Sequence, residues 1–208
     1  MTSGQRRFQP RKQPKQVRAE LTRRRILKAA ADVFADYGYA AGTTNRIAER
    51  AGISIGSLYQ YYPNKDAILV ELTAAHLDAG LTLVQKRRDG ELPESLEDIL
   101  RLFVRGAISN HRGHPQLLRV LFEQAPRTAQ LMELMYAYEA SSVEFTRELL
   151  DRHPEVRVED KQTAARLVVT SVELLVHRLV AEPNPVDVDR FENELVAMLT
   201  RYLTAAGS

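Results

Sequence analysis

Cysteine is absent from all 208 residues. Its absence removes disulfides, thiolate nucleophiles and cysteine-based metal centres and suits a reducing compartment. No uninterrupted apolar run approaches the roughly 20 residues that a membrane crossing needs. The N-terminus is basic but is not followed by an apolar stretch, so it does not read as a secretory signal, and a cytoplasmic protein is expected. No strand-like alternation, internal repeat or phosphate-cradling glycine loop is present. Glu173 and His177 form an i,i+4 pair, yet no third group accompanies them as an acid–base or nucleophilic site would require. His111 and His114 lie three apart with no evident third ligand. Neither enzyme chemistry nor a metal or other cofactor is expected.

What remains is helix and charge. Residues 1–65 hold thirteen Lys or Arg against four Asp or Glu, whereas residues 66–208 hold sixteen against twenty-three. A basic unit on an acidic remainder suggests that one end meets a polyanion. Residues 1–19, with Arg6, Arg7, Arg11, Lys12, Lys15 and Arg18 among Pro, Gln and Ser, show no apolar period and read as a disordered basic arm. From about residue 20, Ile26, Ala29, Ala30, Val33 and Phe34 recur near every 3.6 positions. Gly38 ends that helix.

Thr43 or Thr44 then caps a second helix with Ile47, Ala48 and Ala51 inward. Gly52 supplies a tight turn, Ser54 caps a third helix, and Pro63 ends it. Helix, glycine turn and helix together read as a helix-turn-helix DNA-binding unit over residues 20–65, its recognition helix at 55–61. Ser54, Ile55, Gly56 and Ser57 are compact enough to enter a major groove. Ser57 can hydrogen-bond a base or phosphate, Ile55 can pack on a thymine methyl, and Gln60 can read adenine. Tyr59 and Tyr61 can offer hydroxyls to phosphates, as can Thr44. Arg46 is a candidate base contact and Lys65 stands near the backbone's path.

The stretch from Arg25-Ile26-Leu27-Lys28-Ala29-Ala30 through Thr43-Thr44-Asn45-Arg46-Ile47-Ala48-Glu49-Arg50-Ala51-Gly52 to Tyr61-Tyr62-Pro63-Asn64-Lys65-Asp66 resembles the TetR family of one-component bacterial transcriptional regulators. The resemblance covers residues 22–72. It implies a homodimer that binds a palindromic double-stranded operator and is usually a repressor released by a small-molecule effector. It carries base and phosphate contacts to Thr44, Arg46, Ser57, Tyr59, Tyr61 and Lys65. Tyr62 departs from the pattern, which commonly has Phe, and its hydroxyl needs a polar neighbour.

Residues 66–208 read as a larger helical ligand-binding and dimerisation domain, giving an all-α chain of about nine helices. Aromatic, sulfur-containing and polar side chains within apolar helices are the candidate effector contacts: Phe103, Arg105, Asn110, His111, Phe122, Met132, Met135, Tyr136, Tyr138, Glu139, Glu173 and His177. The helix near 160–181 is apolar around most of its circumference and must be covered on most sides. With the helix near 187–204 it is the expected subunit interface, through Val168, Val172, Leu175, Leu179, Leu195, Leu199 and Tyr202. Glu173 and His177 belong either to the pocket or to that interface. The polar faces of these helices mix acid and base, so a membrane surface is not an expected partner. A DNA-binding regulator governed by a protein partner or by its own abundance, with no small-molecule effector, is the alternative.

Overall fold

The computed structural model describes residues 13–88, 92–112, 115–180 and 186–205. Among these residues it contains nine α-helices, one π-helical turn and no strand. Most of the expected basic arm (residues 1–12), His114 and the linker at residues 183–185 lie outside the described residues.

Helix α1 spans Gln13–Ala41, so the arm does not extend to residue 19 as expected. Pro14 is tolerated in a first turn, and the residues after it are mostly good helix formers. These turns project beyond the core, with Val17 and Leu21 each more than half exposed, which is why no apolar period marks them. Gly38, at φ 72° and ψ 174°, breaks α1 three residues before its end.

Helix α2 (Thr44–Ala51) starts where Thr43 Oγ1 accepts the Arg46 N–H. It ends at Gly52, whose left-handed φ of 63° lets the N–H groups of Gly52 and Ile53 return to Glu49 and Ala48. A side chain there would be strained. Arg25 braces the same turn by donating to the Ala51 carbonyl at 2.6 Å. Ser54 Oγ accepts the Ser57 N–H at 3.1 Å and opens α3 (Ile55–Tyr59). Asn64 Oδ1 accepts the Ala67 N–H and opens α4 (Lys65–Arg88).

The remaining helices are α5 (Leu96–Arg112), α6 (Pro115–Arg119), α7 (Ala129–Arg152), α8 (Lys161–Val180) and α9 (Val188–Thr204), with the π-turn Val120–Gln124 directly after α6. Two hydrophobic cores organise them. One joins α5, α7, α8 and α9 through Leu96, Val104, Leu150, Ala164, Val176, Val196 and Leu203. The other joins α1 to α4 through Ile26, Phe34, Ile47, Leu58 and Leu69, and it also takes in Leu117, Leu118, Val120 and Leu121 of α6 and the π-turn. Burying aliphatic and aromatic side chains of this kind contributes about 1.5–3 kcal/mol each. The helix-turn-helix unit therefore shares its interior with a segment from the middle of the chain.

Candidate functional site

On the N-terminal unit the apolar faces of α2 and α3 turn inward at Ile47, Ala48, Ala51 and Leu58, leaving one polar side outward. Ile55 and Tyr59 are large side chains left exposed on α3, and Ser54, Gly56 and Gln60 are exposed beside them. Ser57 is half-buried, its hydroxyl 2.8 Å from that of Ser54. Thr44 Oγ1 lies 3.2 Å from Tyr59 Oη, which links the start of α2 to the end of α3. A Cβ added at Gly56 would meet nothing of its own chain closer than Ser54 Oγ at 4.0 Å. The fold thus has no steric need for glycine there.

Three expected contacts are held by the chain itself. Arg46 donates to the Ala41 carbonyl at 2.9 Å, its guanidinium 4.2 Å above the Tyr37 ring. Lys65 Nζ donates to the Tyr39 carbonyl at 2.7 Å and sits 4.0 Å over the Tyr39 ring. Tyr61 is half-buried and packs against the N-terminal core. The Tyr62 hydroxyl finds its polar neighbours, donating to Glu71 at 2.9 Å and accepting from Arg23 Nε at 3.3 Å. Burial and the Glu71 carboxylate push this phenol up to about 12.

Tyr39, just past the Gly38 break, is the junction between the two halves. Its N–H donates to Gln124 Oε1 on the π-turn at 3.0 Å. Its carbonyl accepts from Lys65, and its hydroxyl donates to Asp66. A Cβ on Gly38 would fall 2.9 Å from Gln124 Oε1, so a larger residue would displace the Gln124 amide and disturb its hydrogen bond to Tyr39.

In the C-terminal half a cavity of about 490 Å³ opens between α5, α7 and α8. Five expected effector contacts line it: Phe103, Arg105, Asn110, Tyr138 and Glu173. Its wall also includes Ser142, Phe145, Thr146 and Leu149 of α7, which the sequence reading missed. They continue the i, i+4, i+7 series that begins at Tyr138, so following that one helical face would have found them. Met132, Met135, Tyr136 and Glu139 are not on that wall. They lie mostly in earlier turns of α7, where Tyr136 is 62% exposed and Glu139 lies 3.7 Å from Arg166.

His111, Phe122 and His177 also lie off the cavity wall and pack as a ring cluster with His76. Phe122 is 4.7 Å from the His177 ring and 5.9 Å from that of His76, and His76 is 5.1 Å from His111. The cluster therefore joins α4, α5 and α8 to the π-turn. Among the described residues no three His, Cys, Asp or Glu are arranged to hold a metal ion.

The residues expected at the subunit interface divide between the protomer's interior and its surface. Val168, Val172, Leu195 and Leu199 are buried in the protomer's own C-terminal core, and Val168 and Val172 also line the cavity. Leu175 packs partly buried against the same core. Leu179 and Tyr202 are exposed, as are Leu167, Leu174 and Met198. Helix α8 carries two apolar faces, and periodicity alone does not say which turns inward.

Burial, together with the nearby His111 and His177, lowers the His76 imidazole to about 4. The unfolded chain keeps the ordinary value near 6.5, so on acidification it takes up the proton first. The His76 contribution to stability is therefore lost as pH falls from about 6.5 through 4, by up to about 3 kcal/mol. Urea unfolding at pH 7.5, 6.0 and 5.0 should show a shallower fall for His76→Gln than for the native chain. Parallel falls would place the acid sensitivity elsewhere.

Residues 26–72 match the model of the bacterial regulatory proteins of the tetR family. Residues 95–203, more than half of the chain, match that of the tetracyclin repressor-like C-terminal domain. The A-factor receptor protein of Streptomyces griseus is 38% identical over 84 residues, 40% of this chain and 29% of that protein. The chain spans less than half the length of the first curated relatives it matches. The fold is also that of FadR from Bacillus subtilis in complex with stearoyl-CoA, with TM-score 0.72, 20% identity, and 85% of this chain and 97% of that one covered. It is likewise that of AibR in complex with isovaleryl coenzyme A and operator DNA, with TM-score 0.68, 22% identity, and 86% and 98% covered. The chain belongs to the TetR family of bacterial transcriptional regulators.

Proposed function

We propose that this regulator binds a palindromic operator as a homodimer, represses from it, and is released when a small molecule enters the cavity between α5, α7 and α8. The observation that carries the DNA reading is the exposed face of α3. There an unobstructed Gly56 sits between Ile55 and Ser57, with Tyr59 and Thr44 at its rim. Glycine is disfavoured in a helix by about 1 kcal/mol relative to alanine, and close approach to DNA is a reason to keep it. A dimer reading one face of the duplex needs its two α3 helices about 34–36 Å apart, or a compatible multiple. The basic N-terminal third supplies the phosphate attraction, so affinity should fall steeply with salt.

Two neighbours of this fold are described with acyl-coenzyme A ligands, one of them also with operator DNA. They support a ligand-responsive reading, as does the presence of the cavity. To act, the ligand must favour one dimer conformation over the other. The route from cavity to DNA runs through the ring cluster and π-turn to the Gln124–Tyr39 hydrogen bond.

Leu167, Leu174, Met198 and Tyr202, on the outward faces of α8 and α9, form the surface a second copy would cover; they are 39–54% exposed in the protomer. Replacing Leu174 and Met198 with Glu together should yield a folded 23.5 kDa monomer in sedimentation. A variant that remains dimeric would move the interface elsewhere.

Genomic fragments selected by the purified protein supply the operator. Against that operator Gly56→Ala should lose at least about tenfold in affinity, roughly 1.4 kcal/mol. Its unfolding free energy should stay equal or rise by up to about 1 kcal/mol. Unchanged binding in fluorescence anisotropy would show that α3 does not enter the groove.

A further inference from the structure

The cavity's electrostatics narrow the class of its ligand. Among the described residues its wall carries two formally charged side chains, Arg105 and Glu173. Arg105 is engaged outside the cavity. Its Nε donates to both Glu192 oxygens at 2.9 Å, and Arg101 Nη1 donates to the same carboxylate at 3.0 Å. Glu192 is 6% exposed, so this cluster is a fixed part of the α5–α9 packing. Arg105 itself is 65% exposed and stands toward solvent.

Glu173 is placed differently. One of its oxygens accepts from Tyr138 Oη at 3.1 Å, and the other lies 3.9 Å from Nε2 of His111. His111 is 1% exposed. Its Nδ1 lies 2.9 Å from the Ala107 carbonyl, which can only accept. Nδ1 therefore donates to that carbonyl, and Nε2 is the ring nitrogen on the side of Glu173. That nitrogen makes no hydrogen bond within the chain. Glu173, a partly exposed carboxylate on the wall, suits a cationic head, and the apolar wall of Leu102, Phe103, Phe145 and Leu149 suits a hydrocarbon body.

Resting on the cavity reading above, we infer that the effector is an amphiphile with an apolar body and a primary or secondary ammonium head, the head lying against Glu173. Such a head has N–H donors for the carboxylate and carries the opposite charge. A fatty acid or an anionic thioester would instead set like charge against Glu173. The position also explains transmission. His111 stacks on Phe122 with centroids 6.3 Å apart, so a head that moves Glu173, 3.9 Å from that imidazole, acts on the π-turn and, through Gln124, on Tyr39.

The test is isothermal titration of the full chain at pH 7 with octylamine, octanol, octanoate and octyltrimethylammonium, which share a tail and differ in their heads. Octylamine should bind at least about tenfold more tightly than octanoate, the scale of one charge-assisted hydrogen bond. It should also exceed octyltrimethylammonium, which has charge but no N–H. Glu173→Gln should lower octylamine affinity by about tenfold and leave octanol within about twofold. Because the head-group ranking is read on the native chain, the inference stands or falls even if that variant fails to fold. Octanoate binding as tightly as octylamine, or no binding by any of the four, would overturn the ammonium assignment. Octylamine binding as expected while operator affinity stays unchanged would uphold the head-group chemistry and overturn ligand control of DNA binding.

Discussion

Leu117, Leu118, Val120 and Leu121 fill the interior of a helical unit whose other members come from the first seventy-two residues. That burial is the constraint on which the rest of the structure depends. Without it, α2 and α3 would rest on a three-helix core with one wall missing, and the middle of the chain would have no purchase on the DNA-binding face. A close-packed interior does not deform smoothly, so a displaced α6 must shift whatever is packed on it. The boundary between the expected domains near residue 65 is therefore a boundary in the chain but not in the packing.

The polar contacts around this core make the connection directional. Tyr39 is held on three sides, by Gln124, Lys65 and Asp66, immediately after the Gly38 break. Burial and Asp66 both hold its phenol well above the usual tyrosine range, so the hydroxyl remains a donor at any physiological pH. A shift of the π-turn is thus delivered to one point, the end of α1, from which the loop to α2 begins. A single turn of π-helix inside helical structure often marks a functional site, and here it connects the ring cluster to Gln124. Coupling free energies of about 1–3 kcal/mol are ordinary for such links, which is comparable to one or two hydrogen bonds of this kind.

Much of the N-terminal half was legible in the sequence because local chemistry determines it. Thr43 and Ser54 as caps and Gly52 at the turn each act within a few residues of themselves, and all are found in those roles. The all-helical class was legible for the same reason. What was not legible depended on which of two apolar faces turns inward. Val168 and Leu199, expected from periodicity at a partner, lie in the protomer's own core. Met132 and Met135 were assigned to the pocket, while the cavity lies along the later turns of α7, at Ser142, Phe145 and Thr146. The involvement of α6 in the N-terminal core pairs residues about seventy positions apart, such as Ile47 with Leu117 and Leu118 as members of one cluster. No periodicity within one segment encodes a pairing of that range.

Native-state hydrogen exchange of Leu121→Ala, followed by mass spectrometry, tests the shared core most directly. Removing this side chain should cost about 2–4 kcal/mol. If the core is one unit, protection in α2 and α3 falls together with protection in α6 and the π-turn, though Leu121 lies more than sixty residues away from them. Loss of protection confined to residues 115–124, with Ile47 and Leu58 exchanging as before, would show two independent units and contradict the account.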